Sequence, residues 1–442
     1  MGRAARALAV AWCALAARPA GAVTAPAIGL IGGPDALSTV AQRHVVRVAP
    51  PGHAPVHLVA AQNEFGGTPD APGGLGWWRS DDEGASWSFR RVILPGPLHL
   101  TADLAVLGTD VAAVYGYDTT ETEFPPDGAD PDRTVAFQWW RWDGADDFAP
   151  GPLVTVARPP PGQAYHRPEL AVDGRGRIWI QAWLRDPCAF CGDTALQWVS
   201  TDGGATFAAQ GELATAPELG GGRLLAAGGK LLFLWGDYSW DDPAQVRVRD
   251  DGDPLGAWGA PAIAFPDGDP IYHGAAMNAV ADGAGGVHVV YKDQFQQLWY
   301  RRWDGAGFGP KTLVDAGGDW AAQPAVTRAG GDLYVFVNHP LVLGVAHELR
   351  LYRLSRDFAS FDVLDDVLDF KGYPSAPEVL PDAAPEVVCA FGRGFWDPVV
   401  RLAVARVAVD GAAPPPSPPP DPASSRASGR PGPQASCCQP RS

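Results

Sequence analysis

A ring of four-stranded β units is predicted for this chain by three observations. The composition is crowded with turn formers yet strongly apolar, a unit of about fifty residues recurs along the chain, and Asp-bearing turns punctuate it at regular spacing. The 442 residues include 53 Gly and 44 Pro, above a fifth of the total, while 46% are hydrophobic and 10% aromatic. That is too apolar for a disordered chain and too rich in turn formers for a helical one. Many short strands joined by many turns follow, which argues against bundles, coiled coils and doubly wound folds.

The chain divides into three parts. Residues 1–22 carry Arg3 and Arg6 ahead of the apolar run Ala7–Ala17, then Ala20-Gly21-Ala22, a small-x-small cleavage pattern. This reads as a secretory signal peptide, because the apolar run is far too short to span a bilayer. Residues 23–410 hold the repeats. Residues 411–442 are rich in Pro, Ser and Arg without periodicity and read as a disordered tail or spacer, with attachment through Cys437-Cys438 as the alternative. A secreted or periplasmic location follows. In that compartment Cys188 and Cys191, after a strand and with no βαβ pattern, read as a loop disulfide rather than a redox pair.

Charge narrows the partners. The net charge is −16, and residues 23–410 alone carry −21. Such a surface repels polyphosphate, so the charge argues against nucleic acid and anionic membranes as partners. No later segment reads as a membrane span. No cofactor or metal is called for, since Cys389 lacks further zinc ligands at suitable spacing.

The repeat becomes visible when segments are set side by side. PELAVDGRGRIWIQAW with ALQWVSTDGGATF matches NAVADGAGGVHVVYKD with QLWYRRWDGAGF, and PAVTRAGGDLYVFVNH with LRLYRLSRDFASF. Each unit offers an apolar strand, a Gly/Asp turn, an alternating strand, a loop, a third strand and an Asp-bearing turn. A fourth strand follows, such as Lys311–Val314 or Ala260–Phe265. The Asp turns fall at Asp82, Asp143, Asp202, Asp251, Asp304, Asp357 and Asp410, separated by 61, 59, 49, 53, 53 and 53 residues. A four-stranded unit with two apolar faces cannot bury them alone, whereas radial stacking buries both. The prediction is a β-propeller of four-stranded antiparallel blades, seven-bladed with six as the alternative. The last unit runs into the tail after its third strand, so an N-terminal strand at Ala27–Gly32 is expected to close the ring and protect its edge.

Two turns carry a fuller motif. Ser80-Asp81-Asp82-Glu83-Gly84-Ala85-Ser86-Trp87 and Ser200-Thr201-Asp202-Gly203-Gly204-Ala205-Thr206-Phe207 share Ser-x-Asp-x-Gly-x-(Ser/Thr)-aromatic. The Asp and hydroxyl groups suit the turn's backbone N–H groups, Gly suits positive φ, and the aromatic suits packing on the blade. The motif resembles the Asp-box (BNR) repeat of sialidase-like propellers; Ser355–Phe361 is a degraded copy, and Asp143-Gly144 and Asp304-Gly305 keep its core. The resemblance implies that these boxes are structural, on outer hairpins between third and fourth strands, away from the ligand face.

Propeller function gathers at one mouth of the central channel. That mouth is lined by the loops leading into each first strand and by those between second and third strands. The former supply Tyr165, His166, Arg167, Tyr272, His273, Trp320 and Tyr373; the latter supply Arg185, Asp186, Asp237, Lys292, Asp293 and Arg393, with Asn63, Tyr117 and Asn338-His339 beside them. Aromatic faces with carboxylates, amides and Arg are what a sugar needs. Carbohydrate binding without covalent chemistry is therefore the first expectation, with a glycan or polysaccharide as partner. The resemblance adds a sialidase-like exo-glycosidase, in which three Arg hold a carboxylate beside a Tyr–Glu pair and an Asp. Arg167, Arg185 and Arg393 are the rim arginines, and His166-Arg167-Pro168 is the nearest string to the family's Arg-Ile-Pro. A polysaccharide lyase, using His166, Tyr272 or His273 with Arg185, and a protein-interaction scaffold are the further alternatives. No catalytic residue is assigned.

Overall fold

A computed structural model describes residues 27–31, 37, 42–63, 74–95, 100–117, 134–185, 192–217, 220–236, 242–272, 276–316, 323–329, 331–342, 346–354, 360–365, 374–380, 386–393 and 400–408. The signal segment, the tail, Asp357 and Asp410 lie outside them. So do Asp186, Cys188, Cys191, Asp237, His273, Trp320 and Tyr373, and the side chain of Arg393.

Strand β1 is Ala27–Ile31. The first blade is β2 (Val45–Val48), β3 (Val56–Asn63), β4 (Gly74–Ser80) and β5 (Ser88–Pro95). The second is β6 (Leu100–Leu107), β7 (Asp110–Tyr117) and β8 (Val135–Trp142), with the outer place shared by β9 (Phe148–Pro150) and β10 (Val154–Ala157). The third is β11 (Ala164–Val172), β12 (Ile178–Arg185), β13 (Asp193–Ser200) and β14 (Ala208–Ala216). The fourth is β15 (Gly221–Ala227), β16 (Lys230–Gly236), β17 (Gln245–Asp250) and β18 (Ala262–Ile263). The fifth is β19 (Met277–Ala281), β20 (Val287–Lys292), β21 (Leu298–Trp303) and β22 (Thr312–Asp315). The sixth is β23 (Pro324–Ala329), β24 (Asp332–Val342), β25 (Ala346–Arg353) and β26 (Ser360–Asp365), with β27 (Val379–Leu380) parallel to β23. Last come β28 (Glu386–Arg393) and β29 (Val400–Ala408), which form a three-stranded sheet in the order β28-β29-β1.

The molecule is an all-β propeller of four-stranded antiparallel blades, and the expected seven blades are corrected to six. The reason lies in the last unit. Among the described residues it supplies β28 and β29 of its own, with one bridge, Ser375 to Ala390, on its inner side. Strand β1 lies antiparallel to β29, with Ala27 opposite Ala403 and Ile31 opposite Val400.

Period-two alternation explains why each blade needs neighbours. Along β3, Leu58 and Ala60 pack towards the second blade while Val59 and Ala61 pack towards β28 and β29. Along β12, Ile178, Ile180 and Ala182 meet the second blade while Trp179 and Trp183 meet the fourth. Along β24, Leu333, Val335 and Val337 meet the fifth blade while Tyr334 and Phe336 meet β28 and β29. Each sheet is therefore buried on both faces, with the core spread as clusters between consecutive sheets.

The Asp turns fasten these layers. Asp82 Oδ1 accepts from the Ser80 hydroxyl (2.8 Å) and Ser86 N–H (2.8 Å), its Oδ2 accepts from the Ser86 hydroxyl (2.6 Å), and Ser80 Oγ accepts from Gly84 N–H (2.8 Å). The second turn repeats these bonds: Asp202 accepts from the Ser200 hydroxyl and from Thr206 N–H and hydroxyl, and Ser200 Oγ accepts from Gly204 N–H. Gly84 and Gly204 have φ of 86° and 91°. These turns reach back onto the preceding sheet. Trp139 of the second blade donates to the Gly203 carbonyl (2.7 Å), and Phe207 packs on Phe137 at 5.2 Å. A Cβ on Gly204 would lie 2.5 Å from the Phe137 ring. Gly204→Ala is expected to cost about 2–4 kcal/mol, because φ strain and overpacking add. Urea unfolding checks this, and a change below about 1 kcal/mol would contradict the latch.

Candidate binding site at the channel mouth

In every blade the start of the first strand, the end of the second and the start of the third lie at one end. In the third blade Ala164 faces Arg185, and Arg185 faces Asp193. The register of β11 shifts between His166 and Glu169, and Arg167 in that bulge has φ of +49°, a conformation uncommon outside glycine. Such a bulge re-aims side chains at a rim. The Pro168 ring fills the place where Gly116 has no Cβ, and the Pro168 carbonyl accepts from the Gln42 amide (2.7 Å).

Four side chains converge there. His166 Nε2 lies 3.0 Å from Asp193 Oδ2, Arg185 Nε lies 3.4 Å from Asp193 Oδ1, and Gly220 N–H donates to Asp193 Oδ2 (2.9 Å). Arg167 Nη1 donates to the Gly220 carbonyl (3.0 Å). All four are buried. Burial lowers the His166 imidazole to about 4 despite Asp193, so it is neutral at pH 7. Burial works to raise the Asp193 carboxyl, but His166, Arg185 and the Gly220 N–H outweigh it and hold the group below its usual range. The Arg185 guanidinium thus meets the Asp193 carboxylate, while that of Arg167 lies against the Gly220 carbonyl beside it.

A second network occupies the axis. Arg43, before β2, donates to Asp103 of β6 through its backbone N (2.7 Å), Nε (2.9 Å) and Nη2 (2.6 Å). Its Nη1 reaches Glu378 (2.7 Å), and its Nη2 also meets the Leu170 carbonyl. Leu170 N–H completes the Asp103 shell (2.8 Å). Arg223 of β15 approaches Asp103 at 3.5 Å and Glu169 of β11 at 3.9 Å. First strands of successive blades therefore meet through charge at the ring centre. Burial pushes the Glu169 carboxyl up to about 8, with Arg223 opposing and Asp103 adding to the shift.

These buried groups set the pH dependence of stability. Burial lowers His44 to about 4, His57 to about 3 and His166 to about 4, so each contributes stability that is complete about one unit above its ordinary value of 6.5 and lost as acid charges it. Glu169 acts oppositely: its stabilising proton is held below about 4.5 and lost as pH rises through 8. Stability is expected to peak near pH 7 and to fall by about 1 kcal/mol between pH 7 and 9, where the loss at Glu169 outweighs the last of the histidine gain. In Glu169→Gln, whose amide oxygen keeps the bond from Leu224 N–H, that fall should vanish; urea midpoints across pH 4–9 would overturn this if stability rose steadily to pH 8.

The remaining sequence-predicted residues are placed as follows. Tyr165 packs its ring in the core, edge-on to Trp198 at 5.3 Å, instead of facing the channel. Lys292 is buried with Nζ 4.6 Å from the Tyr272 ring centre. Both Asp293 oxygens serve its own turn, accepting Phe295 and Gln297 N–H (both 2.9 Å) and Trp299 Nε1 (2.8 Å). Arg393 lies at the end of β28, opposite Arg401. Sequence reasoning missed Phe295, 72% exposed at the tip of the Asp293 turn. It also missed Asp193, the axial network, and Asp315, which accepts from Tyr352 (2.6 Å) and lies 2.8 Å from His339 Nδ1. The axial groups had one signal: a lone charge inside an apolar first strand, as in Ala102-Asp103-Leu104 or Gly222-Arg223-Leu224.

Among the described residues no group of three or more His, Cys, Asp or Glu is placed to hold a metal, and no helix is long and apolar enough to cross a membrane. No protein-family model and no curated protein matches the sequence. Solved structures do resemble it. An ulvan lyase, described as a new family of polysaccharide lyase, is 11% identical, with 87% of this chain and 95% of that one covered at a TM-score of 0.50. The Trypanosoma rangeli sialidase bound to the inhibitor DANA is 13% identical, with 83% and 55% covered at 0.47. The six-bladed Aleuria aurantia fungal lectin is 14% identical, with 74% and 96% covered at 0.47. This chain spans about half the length of the sialidase. At such identities the likeness concerns the fold alone, a β-propeller.

Proposed function

We propose that the protein binds a carboxylate-bearing glycan at the channel mouth of its third blade. The observation that carries this reading is the convergence of the buried Arg167 and Arg185 guanidinium groups around His166, Asp193 and Gly220. Guanidinium forks match a sugar carboxylate in two parallel bonds, and a neutral imidazole beside them suits hydroxyl contacts. Phe295, on a rigid turn at the same end of the blades, offers a face for stacking on sugar C–H groups. The solved lectin, sialidase and lyase propellers lend support as a class. An array of neutral and acidic glycans tests the reading: binding confined to uronate- or sialate-containing members is expected, and binding to none would sink it.

A lyase reading has one observation of its own, a His166 imidazole held neutral beside Arg185. Incubation with polyuronates should then raise ultraviolet absorbance from a new double bond, and a flat trace counts against it.

The Ser80–Trp87 and Ser200–Phe207 turns belong to this proposal as Asp-boxes, on the strength of their matching hydrogen bonds. Ring closure by β1 belongs to it as well, since β28 and β29 pack on the sixth blade with one face and on the first with the other. Export with cleavage after Ala22, and a Cys188–Cys191 bond formed outside the cytoplasm, complete the proposal. Mass spectrometry of the exported chain tests both; a retained Met1 or free thiols would contradict them.

A further inference from the structure

The axial network leaves one guanidinium without a hydrogen bond. Arg223 is fully buried, yet Nε, Nη1 and Nη2 all lack a protein hydrogen-bond partner. Its nearest carboxylate oxygens, 3.5 Å away on Asp103 and 3.9 Å away on Glu169, both approach Nη1. Neither can serve it fully. Asp103 already accepts four bonds, three from Arg43 and one from Leu170 N–H. Glu169 Oε2 accepts Leu224 N–H (2.6 Å), and burial keeps its carboxyl largely protonated at pH 7. The Nε–Nη2 edge, the side-on fork with which arginine grips anions, faces no protein acceptor. His44 lies in the same network, fully buried and close enough to feel the Asp103 charge.

Buried donors in this number are found with an ion or ordered water, because an unpaired buried charge is too costly to keep. The surroundings choose between them. The guanidinium offers only donors, and the one charge left without a hydrogen-bonded counter-charge is positive. Complete burial excludes a sugar ring, and even a single small ion would have to part the side chains packed on the guanidinium. We infer that the propeller axis holds a structural monovalent anion of chloride size, gripped side-on by Arg223 Nε and Nη2 and bordered by His44. The ion would neutralise Arg223 and tie the fourth blade to the first three. The inference is independent of any glycan at the mouth.

Two measurements test it on the whole protein. Replacing gluconate by chloride at constant ionic strength should raise the melting temperature by at least about 2 °C, saturably. In Arg223→Met, which keeps the volume without the charge, that gain should disappear. Crystals of the unaltered protein soaked in bromide need no variant. They should show an anomalous peak within about 3.5 Å of Nε and Nη2. Water alone at that edge, bromide bound only elsewhere, or a melting temperature indifferent to chloride would overturn the proposal.

Discussion

Asp103→Ala is expected to lower stability by about 3–5 kcal/mol, the range seen when one partner of a buried ion pair is removed. The carboxylate is fully buried and takes four hydrogen bonds from Arg43 and Leu170 N–H. Without it Arg43 retains Glu378 as its only carboxylate partner, Arg223 loses its nearest oxygen, and Leu170 N–H in the third blade is orphaned. The damage falls where the first strands of four blades meet, so no local rearrangement absorbs it. Urea unfolding at fixed m-value measures the loss. A change below about 1 kcal/mol would mean that the axial charges are ornamental to the ring.

Arg185→Ala should weaken binding of an acidic glycan by at least about 30-fold, the lower end of what truncating one member of a desolvated charge pair costs. The fold should survive, because Asp193 keeps His166 and the Gly220 N–H. Arg185→Lys should recover only part of the loss, since an ammonium restores the charge but not the fork. Isothermal titration of the three proteins against one acidic oligosaccharide separates these outcomes. Equal affinity in all three would move the site away from the third blade.

The strands were legible because alternation writes both faces of a blade into the sequence. The segment IWIQAW within β12 and VHVVYK in β20 fall in the expected places, and the turn chemistry at Asp82 and Asp202 follows from side-chain type alone. The blade count was harder. Asp turns mark third-to-fourth hairpins, so counting them credits the last unit with strands it lacks among the described residues. Within the site, Asp293 looked like a rim carboxylate although its spacing to Trp299 repeats that of Asp173 to Trp179, where both oxygens also serve the turn. The axial network was hidden for a different reason. Asp103, Glu169 and Arg223 come from separate blades, and nothing in a linear sequence says that they converge.

The central claim is that the third-blade mouth receives a sugar carboxylate, and a crystal structure with an acidic oligosaccharide at saturating concentration tests it most directly. The account predicts carboxylate oxygens within about 3.2 Å of the Arg185 or Arg167 guanidinium. A sugar bound at another face, or one at this mouth with its carboxylate turned to solvent, would contradict it.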